Sequence, residues 1–226
     1  MYKESRKTTN PFVGCNFNCT YCGPSFRRQA KRRKRDCIKC YKYEPHEHLE
    51  RLRITPPRTK DGEFIFLCDM GDIAFASMNF RMKLAYWCTK YPDRTFLVQS
   101  KNPYCFVLPK FPENVILGTT LETNRDQLCL EISRAPPPSV RYEAILKLQH
   151  PRKLITVEPI LDFDLEIFAT MIINIKPWRV YIGYDSHPKE NKLQEPPLAK
   201  ADALYNLLKE KGLDVRWKLR RKAWNE

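Results

Sequence analysis

Short apolar runs recur along the chain, and each is followed by a stretch with helical spacing. Glu63-Phe64-Ile65-Phe66-Leu67-Cys68 has the composition of a strand buried on both faces. Thr95–Gln99, Asn114–Thr119, Lys153–Val157 and Arg179–Gly183 repeat the pattern, and Asp214–Lys218 predicts a last strand. Between them, Ala76–Lys90 places Met78, Met82, Ala85 and Thr89 at helical spacing, and Tyr91-Pro92-Asp93 stops it. Val140–Gln149, Leu165–Ile175 and Leu198–Lys211 predict further helices.

Strands alternating with helices imply right-handed βαβ units and a mostly parallel sheet. Six or seven units fit 226 residues, fewer than the eight of a closed barrel of about 250 residues. The expected fold is therefore α/β: a partial, side-open (β/α)6–7 barrel, with the cysteine-bearing loop after the first strand. A flat doubly wound sheet is the alternative. One domain over residues 1–226 is expected, with residues 31–60, too polar for a core, forming an insertion on its rim. Pro136-Pro137-Pro138 reads as a stiff local turn.

In such folds the site lies at the carboxyl ends of the strands. That rule selects Asp69, Gly71 and Asp72, then Gln99, Ser100 and Lys101, then Thr119, Thr120 and Glu122, then Glu158, and finally Gly183 to Ser186. Singly, residues such as Asp72, Asn124 or Ser186 are equally readable as helix caps. Their recurrence at strand after strand is the stronger signal of a site, and acceptors converging on one mouth would suit a ligand with an ammonium group, a ribose and an adenine.

Nine cysteines without a visible export signal point to a reducing compartment, with the cytoplasm as the expected location. No apolar run approaches the roughly 20 residues that span a bilayer. Cys15, Cys19 and Cys22 form a C-x3-C-x2-C run within eight residues. Three thiolates can hold one side of an iron–sulfur cube and leave its fourth iron open, whereas structural zinc is closed by four donors. Half of a zinc finger, completed by Cys37 and Cys40, and a redox thiol set are the competing explanations. Cys37-Ile38-Lys39-Cys40 also precedes His46 and His48 as C-x2-C-x5-H-x-H, a zinc-type donor set of two thiolates and two imidazoles; paired surface cysteines and ordinary histidines are its alternative. Cys68, Cys88, Cys105 and Cys129 read as core residues.

The formal net charge is +14, which attracts polyanions. It concentrates in residues 27–35 (Arg27, Arg28, Lys31 to Arg35) and in residues 216–222, where Trp217 lies among the cations and Trp224 just beyond them. Cations with interleaved aromatics suit nucleic acid, and a solvated basic face is the plain reading.

The chain resembles the radical S-adenosylmethionine (radical SAM) superfamily, in particular small three-cysteine proteins of phages and prokaryotes distantly similar to spore photoproduct lyase. The resemblance lies in Asn10–Cys15 with Cys19, Tyr21 and Cys22, and in Leu97–Pro103, Asn114–Glu122, Val157–Leu161 and Tyr181–Ser186. Gly183-Tyr184 stands where that group carries two glycines, and Asp69-Met70-Gly71-Asp72 replaces its glycine pair and glutamate. The resemblance implies that Cys15, Cys19 and Cys22 hold a [4Fe–4S] cluster and that Tyr21 faces the adenine. Asp69, Gly71 and Asp72 would lie at the methionine amino group, Thr120 and Glu122 at the ribose or sulfonium, and Glu158 and Gly183 near the ribose and adenine. It further implies reductive cleavage of SAM to a 5′-deoxyadenosyl radical that takes hydrogen from a substrate, with a flavodoxin- or ferredoxin-type reductant. Cys68, ending a strand beside that site, is a secondary candidate for donating hydrogen to a substrate radical.

Three functions follow: a radical SAM enzyme modifying or repairing nucleic acid, the same chemistry on a small metabolite or peptide, or a zinc-containing nucleic-acid-binding module without radical chemistry.

Overall fold

The computed structural model describes residues 2–22, 30 and 32–226. Its main sheet contains β1 (Ser5–Thr9), β4 (Phe64–Leu67), β5 (Phe96–Gln99), β6 (Val115–Thr120), β7 (Lys153–Val157), β8 (Arg179–Gly183) and β9 (Val215–Leu219), in that spatial order and parallel at every pairing. It is a side-open half-barrel rather than a flat doubly wound sheet. Two short strands, β2 (Phe12–Val13) and β3 (His46–Glu47), pair antiparallel beside it. The cysteine loop follows β2, so this two-residue strand intervenes between β1 and the loop. Strand β1 carries the polar sequence Ser-Arg-Lys-Thr-Thr; as an edge strand it keeps a solvated side, which removes the apolar signature that marks the inner strands.

Among the described residues the helices are α1 (Ile38–Lys42), α2 (Met78–Thr89), α3 (Asp126–Leu130), α4 (Pro138–Lys147), α5 (Leu165–Ile175), α6 (Pro188–Asn191) and α7 (Leu198–Glu210). Helix α2 starts where Ser77 Oγ accepts the Phe80 N–H at 3.0 Å. Its buried face is Phe80, Leu84, Ala85, Trp87 and Cys88, packed against Ile65, Leu67, Phe96 and Val98. Met78 and Met82, at the spacing that predicts the helix, are on its exposed side. Helices α5 and α7 cover Ile155, Val157, Val180, Ile182 and Val215 in a second outer core.

Because side chains alternate along a strand, the opposite parity faces the concavity. Phe64, Leu97, Ile116, Leu154 and Tyr181 form its apolar floor with Tyr2. One step toward the carboxyl ends the lining turns polar. The Tyr2 hydroxyl lies 2.7 Å from Gln99 Oε1 and from Thr156 Oγ1, and Gln99 Nε2 donates to Thr120 Oγ1 and Thr156 Oγ1. Glu4 accepts from the Tyr181 hydroxyl at 2.7 Å and pairs with Arg216, so the chain start crosses the lower end of the sheet from β1 to β8 and β9. No described helix is long and apolar enough to cross a membrane.

Candidate functional site

The loop bearing Cys15, Cys19 and Cys22 sits at the carboxyl ends of the strands, clamped from two sides. On one side lies the turn after β4. Gly14 N donates to Met70 O at 2.9 Å, and Asp72 N donates to Gly14 O at 3.1 Å. Gly71 permits this approach, since a Cβ there would lie 2.8 Å from Gly14 O and 2.9 Å from Gly14 N. Gly71→Ala should therefore force two backbones apart, costing about 1–3 kcal/mol in urea denaturation. On the other side, Thr20 N donates to Ile132 O at 2.9 Å, Arg134 N donates to Phe17 O at 2.7 Å, and Ser133 Oγ lies 3.0 Å from Cys19 Sγ.

The three thiols share one patch with Phe17, Tyr21, Phe75 and Ala135. Burial and the Asp72 carboxylate push the Cys15 thiol up to about 12. Cys19 is pulled down to about 5, mainly by a hydrogen bond from Cys22, against burial and helped by Lys101 and Ser133. Cys22 is raised by that same hydrogen bond and by burial. A single anion is thus comfortable here; three require a cationic group between them. Among the described residues, the one set of three or more His, Cys, Asp or Glu side chains whose donor atoms all lie within 4.8 Å of one another is elsewhere.

Beside the thiols is a buried charge cluster. Glu122 and Arg141, each at most 1% exposed, pair at 2.8 Å, and Lys101 binds the other Glu122 oxygen. Tyr21 donates its hydroxyl to Glu122 Oε1 at 2.7 Å and is also bonded by Lys101, whose Nζ lies 4.8 Å from the Tyr21 ring centroid. Burial alone would raise the Glu122 carboxyl; the Arg141 and Lys101 cations instead hold it far below the usual carboxylate range. Tyr21 and Glu122, assigned to adenine and to ribose or sulfonium by resemblance, are joined to each other here. Arg141, from the middle of α4, lacked any signal in a chain so rich in arginine, and Ser133 lacked one as well.

Asp72 caps the turn at Ile73–Phe75 through Ala74 N at 2.9 Å, and accepts from Ser100 Oγ at 2.5 Å and Lys101 N at 2.8 Å. It ties the end of β4 to the end of β5. Asp69 lies in the same turn, with its Oδ1 buried and unpartnered among the described residues. Thr120 joins the Gln99 network, and Glu158 pairs with Lys218 at the mouth. Glu158 packs over Gly183, where a Cβ would lie 3.2 Å from its Oε1. Cys68 is turned away: it is 2% exposed and belongs to the outer core with Phe12 and Cys88, so it does not face the mouth as a hydrogen donor would. Cys105 and Cys88 are also in that core, whereas Cys129 reaches Glu122 Oε2 at 3.6 Å.

No protein-family model matches the sequence, and no curated protein is significantly similar to it. A solved structure is similar: a radical SAM methyltransferase from Sphaerobacter thermophilus, at TM-score 0.56 and 12% identity, over 97% of this chain and 67% of that one. The two share the side-open partial (β/α) barrel. Within that barrel the cysteine loop, the turn at Asp69–Asp72 and the Lys101–Glu122–Arg141 cluster all lie at one end of the sheet. Separately, Cys37, Cys40, His46 and His48 form the compact donor set noted above and could hold a metal ion.

The basic segments differ. Arg27, Arg28 and Lys31 lie outside the described residues. Arg32 and Arg33 line an open groove with Asp36 and Met70, and Arg33 also lines a second one with Lys7 and Arg51. At the other end, Arg216, Lys218, Arg220 and Arg221 are each ion-paired, and Trp217 stacks on Tyr205 at 5.5 Å.

Proposed function

We propose that the protein is a radical SAM enzyme. The observation that carries this reading is the gathering of three thiols in one patch at the carboxyl end of a side-open parallel barrel. Cys15, Cys19 and Cys22 would hold a [4Fe–4S] cluster. With SAM bound, the cluster would supply the electron that cleaves the sulfonium and yields a 5′-deoxyadenosyl radical able to take hydrogen from substrate.

The chain's own groups define the rest. Asp69 carries an unsatisfied buried oxygen beside the cysteine loop, suited to an ammonium group. The floor of Tyr2, Phe64 and Leu97 excludes water below the mouth. Asp72 positions the loop and Lys101 rather than offering a free carboxylate, and Lys101 places a cation beside the thiolates. Thr120, Glu158 and Gly183 line the mouth, where a ribose and adenine would rest. The test is anaerobic reconstitution with iron and sulfide, then dithionite and SAM. Formation of 5′-deoxyadenosine supports the reading, and its absence from protein carrying a full cluster sinks it.

We assign the substrate to the nucleic acids on the basic groove beside Met70, which adjoins the cysteine loop, and on the second groove that shares Arg33 with it. Arg32→Ala with Arg33→Ala should weaken binding to all sequences alike and reduce the salt slope by about 2, read by fluorescence anisotropy across a salt series. An unchanged slope moves the substrate to the small-metabolite or peptide class.

A further inference from the structure

We propose that Cys37, Cys40, His46 and His48 bind one structural zinc ion, and that this ion sets the position of the neighbouring cysteine loop. The four donor atoms all lie within 4.8 Å of one another. His46 Nε2 is 3.4 Å from Cys37 Sγ and 3.3 Å from Cys40 Sγ, and His48 Nε2 is 3.1 Å from Cys40 Sγ. Around tetrahedral zinc, bond lengths of about 2.3 Å to sulfur and about 2.0–2.1 Å to nitrogen separate neighbouring sulfur and nitrogen donors by about 3.6 Å. These three sulfur–nitrogen spacings are within half an ångström of that value.

The imidazoles are also oriented for a metal. His46 Nδ1 lies 2.7 Å from Glu44 O, and His48 Nδ1 lies 2.8 Å from Glu50 Oε1. Both acceptors hold the ring proton on Nδ1 and leave the Nε2 lone pair aimed at the thiols, the outer arrangement that metal-binding histidines use. Two thiols and two imidazoles in a tetrahedral set select zinc over harder cations. All four donors come from the protein, so no position remains open for chemistry.

The structural consequence follows from where the set is attached. His46 pairs with Val13 across β2 and β3, and His48 N donates to Pro11 O at 2.6 Å. Cys40 is buried against Val13 and Met70. Gly14, at φ +98°, lies so close to the Glu44–Pro45 peptide that a Cβ would be 2.5 Å from Pro45 N. The carbonyl that orients His46 therefore belongs to the peptide against which Gly14 rests, one residue before Cys15. Zinc would hold residues 44–48 rigid, and through them Gly14. This second part rests on the radical SAM reading; the zinc site does not.

The test is metal analysis of the full-length chain by mass spectrometry. Wild type should carry one zinc per chain, and a Cys15→Ser, Cys19→Ser, Cys22→Ser triple variant should keep it while losing iron. Cys40→Ser should lose the zinc and take up several-fold less iron on reconstitution. His48→Ala should also lose zinc, whereas His48→Cys, which restores four zinc-competent donors, should retain it; this separates loss of a ligand from loss of folding. Wild type without zinc, zinc lost in the triple variant, or zinc retained in Cys40→Ser overturns the site. Normal iron uptake by zinc-free His48→Ala overturns the coupling alone.

Discussion

Cys19→Ala is expected to remove the iron–sulfur chromophore and reduce 5′-deoxyadenosine formation to background. Cys19 and Cys22 share a hydrogen bond, and with Ser133 and Lys101 beside them the pair favours one thiolate against the cost of burial. That shared thiolate would be available to an incoming iron, because the ligand is the anion and not the thiol. Two remaining cysteines leave two corners of a cube without protein donors. Iron should fall from about four per chain to background, with the visible absorbance lost in step, while far-UV circular dichroism stays unchanged. Retained iron together with retained cleavage of SAM would place the cluster elsewhere and end the assignment.

Glu122→Gln is expected to be the most destabilising single change at the site that removes no backbone contact. Glu122 stands between two buried cations, Lys101 and Arg141. Neutralising it leaves both facing each other without compensation. Breaking a buried ion pair costs about 3–5 kcal/mol, and here two pairs share the one anion. Arg141→Met should cost less, since Glu122 keeps Lys101 and the guanidinium is replaced by an apolar chain of similar reach. Urea midpoints at constant slope would rank them. The pH dependence has a definite sign. The Glu122 carboxyl is lowered in the folded state, so its contribution is complete above the ordinary carboxylate value and is lost as pH falls through the lower folded value. Wild type should lose stability in strong acid through this group, and Glu122→Gln should lack that component. Equal midpoints for Glu122→Gln and wild type would show that the three charges are not coupled.

The same cluster bears on chemistry. Tyr21 is held through its hydroxyl by Glu122 and through its ring by Lys101. It sits one residue before Cys22. Any change at Glu122 thus reaches the cysteine loop, and a loss of turnover in Glu122→Gln should accompany a loss of iron.

Much of the fold was legible in the chain because its signals are local. The apolar runs of β4 to β8 and the helices after them are read within ten or fifteen residues, and so are both cysteine spacings. Where burial was inferred from spacing alone, the inference was weaker. In α2 the methionines at helical intervals face solvent, and Phe80, Leu84 and Trp87 form the buried side. Strand β1 was hidden because an edge strand need not be apolar. The basic C-terminal segment reads as a polyanion surface in sequence, yet its arginines find Glu4, Asp202 and Glu195.

Sequence by itself determined the alternating α/β order, the three-cysteine loop and the two-cysteine, two-histidine set, since each depends on neighbours in the chain. Tertiary structure alone decided that Arg141 and Lys101 enclose Glu122, that Ser133 reaches Cys19 and that Glu44–Pro45 abuts Gly14. Charge and donor type are properties of a residue, but a partner is a property of distance, and these partners are brought together only when the strands curl into one mouth.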